Sequence, residues 1–222
     1  MGRRYSQGRG YTPVMHNVLL MMILIWNCRG AGNFSFCHSF FDLMRLHHPS
    51  IAVLVETRVT GQRATQISTS LGFDSVVRSD ADGFSGGIWL LWDSAKVQID
   101  VLSVATHVIH ASVQVSSTNF SWIFSALYAC PRLGPQLKLW DHLSVFVRTY
   151  NLPWLVVGDF NEVLSSHEKL SVVPACQRRI SSFARCLDDC DLVDLRFNGP
   201  RFTWTNKQQN GLVMHRIDQA PL

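Results

Sequence analysis

The sequence predicts an α/β domain built from two sheet halves with helices on the outside. Three observations carry this. Short apolar runs alternate with helix-spaced stretches near both ends of the chain, which signals strand–helix units. Between them, residues 86–129 hold successive strand-like runs with no helix, which implies antiparallel meanders. Finally, Asn27, Glu56, Tyr128, Asp159, Asn161 and Asp218 each stand at or beside the end of an apolar run. In open α/β sheets, ligands bind at strand ends.

The chain has 222 residues, which fits one large α/β domain better than two small ones. With 47% hydrophobic and 16% charged residues, it can bury a sizeable core and is not a disordered polymer. A net charge of +4 is compatible with a polyanionic partner without demanding one. Arg3-Arg4 and Arg178-Arg179 are the most basic spots. Six cysteines form no CxxC pair and no zinc-finger spacing. Cys186 and Cys190, one helical turn apart, read as small core positions. The thiols are expected to be reduced and the chain intracellular.

In chain order, residues 1–17 are expected to be a loose basic tail, with the domain over 18–222. Met1-Gly2-Arg3-Arg4-Tyr5-Ser6 fits the permissive myristoylation pattern, and the apolar run 18–26 imitates a signal peptide. That run is too short to span a membrane, and ending in Asn27 it reads as the first buried strand. Cys28-Arg29-Gly30-Ala31-Gly32 is then a glycine-bearing turn, not a nucleotide cradle. Phe36, Phe40, Leu43 and Met44 recur at helical spacing up to His47-His48-Pro49. Run 51–55 is a second buried strand delivering Glu56, whose partner is either a divalent cation or Arg58. A short helix is expected over 62–71, then strands over 86–92, 97–104, 108–115 and 121–129. His107 and His110 are expected on the solvated face of those strands. A helix over 137–150 returns to the strand 154–157, and another spans 180–188. Short extended pieces follow at 192–195, 201–204 and 213–218.

The central stretch is Trp154-Leu155-Val156-Val157-Gly158-Asp159-Phe160-Asn161-Glu162. Asp159 and Asn161 are two apart, so both side chains leave one side of the chain while it stays extended. A carboxylate beside an amide suits a water that must lose a proton while an adjacent oxyanion is held. The same residues also make an ordinary turn after a strand.

Taken together, Trp26-Asn27-Cys28-Arg29-Gly30, Glu56-Thr57-Arg58, Tyr128-Ala129-Cys130-Pro131, Gly158-Asp159-Phe160-Asn161-Glu162, Phe202-Thr203-Trp204 and Arg216-Ile217-Asp218 resemble the endonuclease/exonuclease/phosphatase superfamily of DNase I-like and apurinic endonucleases. They look most like the endonuclease domain of plant LINE-type non-LTR retrotransposons. The resemblance spans about residues 21–222 and implies a four-layer α/β sandwich. It further implies Mg²⁺-dependent cleavage of phosphodiester or phosphomonoester bonds, with Mn²⁺ as the alternative ion. By the same likeness, Glu56 holds Mg²⁺ and Asn27 supports the metal or phosphate site. Tyr128 hydrogen-bonds the scissile phosphate, Asp159 orients or deprotonates the attacking water, Asn161 positions the phosphate, and Asp218 holds a catalytic histidine. Mg²⁺ takes oxygen ligands and keeps waters, so one or two carboxylates suffice.

Two departures shape the expectation. Arg29 stands where the apurinic endonucleases carry an acidic residue, a feature shared by the retrotransposon branch. The family's Ser-Asp-His element lies beyond the position of Asp218, whereas this sequence runs four residues further, to Leu222. The domain is therefore expected to be C-terminally truncated, lacking its last strand or strands. His215 is read as lying on the same short strand as Asp218. Expected partners are DNA or another nucleic acid, with no membrane and a monomeric chain, located in the nucleus if it acts on DNA. A catalytically inactive, nucleic-acid-binding remnant is the alternative. A lipid-anchored or secreted interaction protein defined by its N-terminus is a third reading.

Overall fold

A computed structural model describes residues 21–83, 85–116, 118, 120–195, 198–206 and 211–222. The tail expected over 1–17, the first residues of the first strand run and the myristoylation pattern lie outside them. Two sheets stack face to face, each covered on its outer side by helices, giving four layers. The first sheet contains β1 (Ile23–Asn27), β2 (Ile51–Val55), β3 (Ser75–Asp82) and β4 (Ser85–Trp92), in the order β1-β2-β4-β3. The second contains β5 (Val97–Ala105), β6 (Val108–Val115), β7 (Ser121–Tyr128), β8 (Trp154–Asp159) and β12 (Asp218–Gln219), in the order β12-β8-β7-β6-β5. A small third sheet joins β9 (Lys169–Leu170), β10 (Trp204–Thr205) and β11 (Met214–His215). The helices are α1 (Phe36–His47), α2 (Gly61–Thr69), α3 (Leu133–Phe146) and α4 (Gln177–Asp189).

Burial on both faces explains why β2 is continuously apolar. Ile51, Val53 and Val55 face the inter-sheet core with Ile88, Leu90, Ile109, Val113, Phe124 and Val157. Ala52 and Leu54 turn the other way, against Phe36 and Phe40 of α1 and Ala64 of α2. Beyond the second sheet, Ile123, Leu127 and Val156 pack on Leu139, Trp140 and Leu143 of α3 and Phe183 and Leu187 of α4. Each such fully buried side chain contributes roughly 1.5–3 kcal/mol, so Leu54→Ala should cost about 2–5 kcal/mol. Cys186 and Cys190 are buried with this outer core, and all six cysteines are free.

α1 places Phe36 and Phe40 one turn apart on its buried face. It ends where His48 adopts a left-handed backbone and returns its N–H to Met44 O, before Pro49.

Several expectations shift. β3 lies outside the expected strands, because it is an edge strand with a largely half-buried, polar-rich sequence. The expected meander divides at Asp93-Ser94, where the chain crosses from β4 in one sheet to β5 in the other. α3 begins at Leu133, four residues before the expected start, because Pro135 falls in the first turn, where a missing N–H costs nothing. His110 is not on a solvated face: it is fully buried, since α3 covers that side of β6. His107, in the turn between β5 and β6, is half-buried. The run 213–218 is not one strand. It breaks at Arg216-Ile217, so His215 lies in the third sheet and Asp218 in the second. No helix among the described residues is long and apolar enough to cross a membrane.

Candidate active site

The parallel pairing of β1 with β2 sets Asn27 opposite Val55, immediately before Glu56. In the second sheet, the pairing of β7, β8 and β12 places Tyr128, Asp159 and Asp218 in one row. Residues opposite one another on neighbouring strands project to the same face. These two rows meet. Asn27 Nδ2 donates to Asp159 Oδ2 at 2.7 Å, and the Tyr128 hydroxyl donates to Glu56 Oε1 at 2.8 Å. Two hydrogen bonds thus tie the strand ends of one sheet to those of the other.

Gly158 allows this meeting. Its φ is +138°, and a Cβ there would overlap the carbonyl oxygen of Leu127 on β7. A glycine therefore lets β8 approach β7 closely just before it delivers Asp159. The chain does not remain extended as far as Asn161, as the two-residue spacing implied. β8 ends at Asp159, and Asn161 has a left-handed φ of 48°. Its N–H donates to Asp159 Oδ1 at 2.9 Å, and its side-chain Nδ2 donates to Ala129 O at 2.9 Å. Arg29, Glu56, Arg58 and Asn161 are four of the six described non-glycine residues with positive φ. Such backbone strain collects where surrounding structure fixes it for function.

Asp159 is 1% exposed, and its carboxyl is pushed up to about 8. Burial is the main cause, followed by the nearby charge of Asp218. The Asn161 N–H and the Asn27 amide act in the opposite direction, and Glu56 raises it further. Asp218 is likewise raised, first by burial and also by Glu56, against the Thr203 hydroxyl and Arg29. Burial and the Glu56 carboxylate push the Tyr128 phenol up. Of the two candidate partners of Glu56, Arg58 is the one seen: it donates to Glu56 Oε2 at 2.6 Å.

A cleft of about 680 Å³ borders this cluster at Glu56 and Asn161 and is lined also by Arg29, Arg58, Trp204 and His215 among others. Trp204 and His215 stack with centroids 5.5 Å apart. The donors are oxygens that repel one another when charged, which suits a hard divalent cation. Among the described residues no three His, Cys, Asp or Glu side chains form a metal cage. Oxygen donors of this kind are what Mg²⁺ accepts, an ion that takes one or two carboxylates and keeps its waters.

Sequence reasoning missed the polar groups behind the site. Gln136 and Arg179 come from helices and reach the turn after β8 only through packing. Thr203, whose hydroxyl accepts from the N–H groups of Ile217 and Asp218, was visible only as part of a motif.

No protein-family model and no curated protein matches the sequence. Solved structures do match the fold. The AP endonuclease LMAP from Leishmania major superposes with a TM-score of 0.69 at 14% identity, covering 90% of this chain and 78% of that one. The endonuclease domain of TRAS1, a telomere-specific non-LTR retrotransposon, gives 0.64 at 14% identity, covering 90% and 83%. The 3′ phosphatase NExo from Neisseria, bound to a product DNA hairpin, gives 0.62 at 17% identity, covering 90% and 85%. The chain thus has the DNase I-like four-layer α/β fold.

Proposed function

We propose that the chain is a divalent-metal-dependent phosphodiesterase of the endonuclease type, acting on nucleic acid. Mg²⁺ is the proposed ion and Mn²⁺ its substitute. The observation that carries this reading is the pair of inter-sheet hydrogen bonds, Asn27 to Asp159 and Tyr128 to Glu56, which gather the candidate groups from four strand ends. The fold likeness to enzymes described as an AP endonuclease, a retrotransposon endonuclease and a DNA-bound phosphatase supports the substrate class.

Glu56, with Asn27 beside it, would hold the ion. Bound there, the ion would neutralise charge building on the phosphate oxygens. Asp159 would take the proton of a water attacking phosphorus. Burial raises its proton affinity in the metal-free chain, and a bound divalent cation would lower it toward the carboxylate that accepts the proton. Asn161 uses one side-chain N–H on Ala129 O, and the other is available to a phosphate oxygen. Tyr128 would transfer its hydroxyl donation from Glu56 to the phosphate. Arg29 and Arg58 line the cleft with positive charge for the nucleic-acid backbone. Within this class, descent from a plant LINE-type retrotransposon endonuclease fits Arg29 and the motifs around Asn27, Glu56 and Asp159. A nuclear location follows for a monomer acting on DNA.

A second reading, an inactive domain that only binds nucleic acid, is favoured by one feature. Asp218 meets the Thr203 hydroxyl, while His215 in the cleft stacks on Trp204 with its Nε2 buried and, among the described residues, unpartnered. Incubation with supercoiled plasmid in Mg²⁺ or EDTA separates the two. Nicking that needs Mg²⁺ and disappears in Asp159→Ala supports the enzyme. DNA binding that weakens with salt, without nicking, supports the second reading and defeats the first.

A further inference from the structure

We propose that Arg179 is a positioning residue that fixes the turn after β8 against the exit of β7. The proposal rests on the active-site reading above. Arg179 lies in the first turn of α4 and reaches three separate segments. Its Nε donates to Glu162 Oε2 at 2.5 Å, and one terminal nitrogen donates to Pro131 O at 2.9 Å. The other donates to Gln136 Oε1 at 3.1 Å and approaches Asn161 O at 3.5 Å. Glu162 and Asn161 follow β8, Pro131 follows β7, and Gln136 belongs to the first part of α3. Gln136, 1% exposed, completes the arrangement by donating Nε2 to Phe160 O at 3.2 Å.

The same two loops are also joined by Asn161 Nδ2 on Ala129 O and by the Ala129 N–H on Asp159 O at 2.8 Å. These direct ties are short and lie beside Tyr128 and Asp159. Arg179 braces them from behind, on a helix that is itself packed through Ile180 and Phe183. The arrangement needs a planar fork with donors on several edges, which lysine lacks. Removing it leaves the Glu162 carboxylate, 8% exposed, with its charge unpaired, and leaves three further acceptors without this donor. The turn should then move relative to Tyr128. A displacement of about 1 Å in a positioned group can lower a rate roughly 100-fold.

The test uses the full chain carrying Arg179→Lys, with Arg179→Ala as a second variant. Plasmid nicking in Mg²⁺ should lose kcat by about 100-fold in the lysine variant, with KM within about threefold. Added guanidinium should partly restore the alanine variant. An Arg179 that merely attracts DNA would raise KM and be replaced by lysine, and that result overturns the proposal. Hydrogen exchange gives a readout independent of activity. The amides of Ala129 and Asn161 should exchange at least about tenfold faster in Arg179→Lys, while that of Phe124 within β7 stays unchanged. Unchanged exchange at both amides also overturns the proposal. If the unmodified chain does not nick DNA, the catalytic reading fails and exchange alone decides the role of Arg179.

Discussion

Asn27 and Asp159, 132 residues apart in sequence and on different sheets, share a 2.7 Å hydrogen bond between amide and carboxylate. That bond joins the strand ends of both sheets at one point. It also leaves Asp159 with few compensating donors for a nearly fully buried carboxyl, the Asn27 amide and the Asn161 N–H.

Function and stability should therefore oppose each other at Asp159. Its pKa is raised in the folded state, so the cost of charging it is absent below the ordinary carboxylate pKa and complete above about 8. Asp159→Asn removes that cost. Thermal unfolding in EDTA near pH 8 should show Tm rising by about 2–8 °C, while nicking falls by roughly 10²–10⁴. An unchanged or lower Tm would show that the carboxylate is better compensated than its surroundings indicate.

Gly158→Ala should behave in the opposite sense. The new Cβ would overlap Leu127 O, and φ of +138° is unfavourable for alanine. A loss of roughly 3–5 kcal/mol is expected in urea unfolding, because the backbones of β7 and β8 must separate. A loss below about 1 kcal/mol would mean that the two strands can part without consequence.

His110 should dominate a separate acid response. Burial, and then the neighbouring His142, pushes its pKa down to about 3. Its Nδ1 and Ser125 Oγ are 2.6 Å apart, Trp154 Nε1 donates to the same oxygen at 2.7 Å, and Nε2 lies 3.0 Å from His142 Nε2. In the unfolded chain the imidazole takes a proton near pH 6.5. Its contribution is thus intact above about 6.5 and lost as pH falls toward 3, about 2 kcal/mol of it by pH 5. Asp159 acts with the opposite sign over part of that window. Urea midpoints at pH 7.5 and 5.0 for the unmodified chain and His110→Asn isolate the histidine, and the variant should show a smaller drop. Equal drops would place the acid sensitivity elsewhere.

Tyr128→Phe should reduce nicking by about 10–100-fold through loss of one hydrogen bond to the reacting group. Its effect on stability should be small, because the hydroxyl meets Glu56, which retains Arg58. A rate within twofold of the unmodified chain would remove Tyr128 from the chemistry.

The residues that were legible in the sequence are those whose role is local. Asn27, Glu56, Tyr128 and Asp159 each end or directly follow an apolar run, so periodicity alone placed them at strand ends. What the runs do not encode is which sheet each strand joins. The division between β4 and β5, and the break at Arg216-Ile217, come from long-range pairing of short segments. Arg216 is held there by Glu168 at 2.6 Å and Asp194 at 2.7 Å, neither of them near in sequence. The buried state of His110 depended on α3 covering β6, which alternation within one strand cannot reveal. Arg179 shows in the sequence only as part of the basic Arg178-Arg179 pair, and Gln136 not at all, because their partners arrive from other elements.

Glu56 follows a strand of the first sheet and Asp159 ends a strand of the second, so their dependence on one another tests the proposed site most directly. The measurement is the Mg²⁺-dependent nicking rate of Glu56→Gln, Asp159→Asn and the double variant. Residues of a single reaction centre are strongly non-additive. Each single substitution should cost roughly 10²–10⁴, and the double variant should be little worse than the slower single one. Nicking that survives either substitution, or losses that simply multiply, would contradict the account.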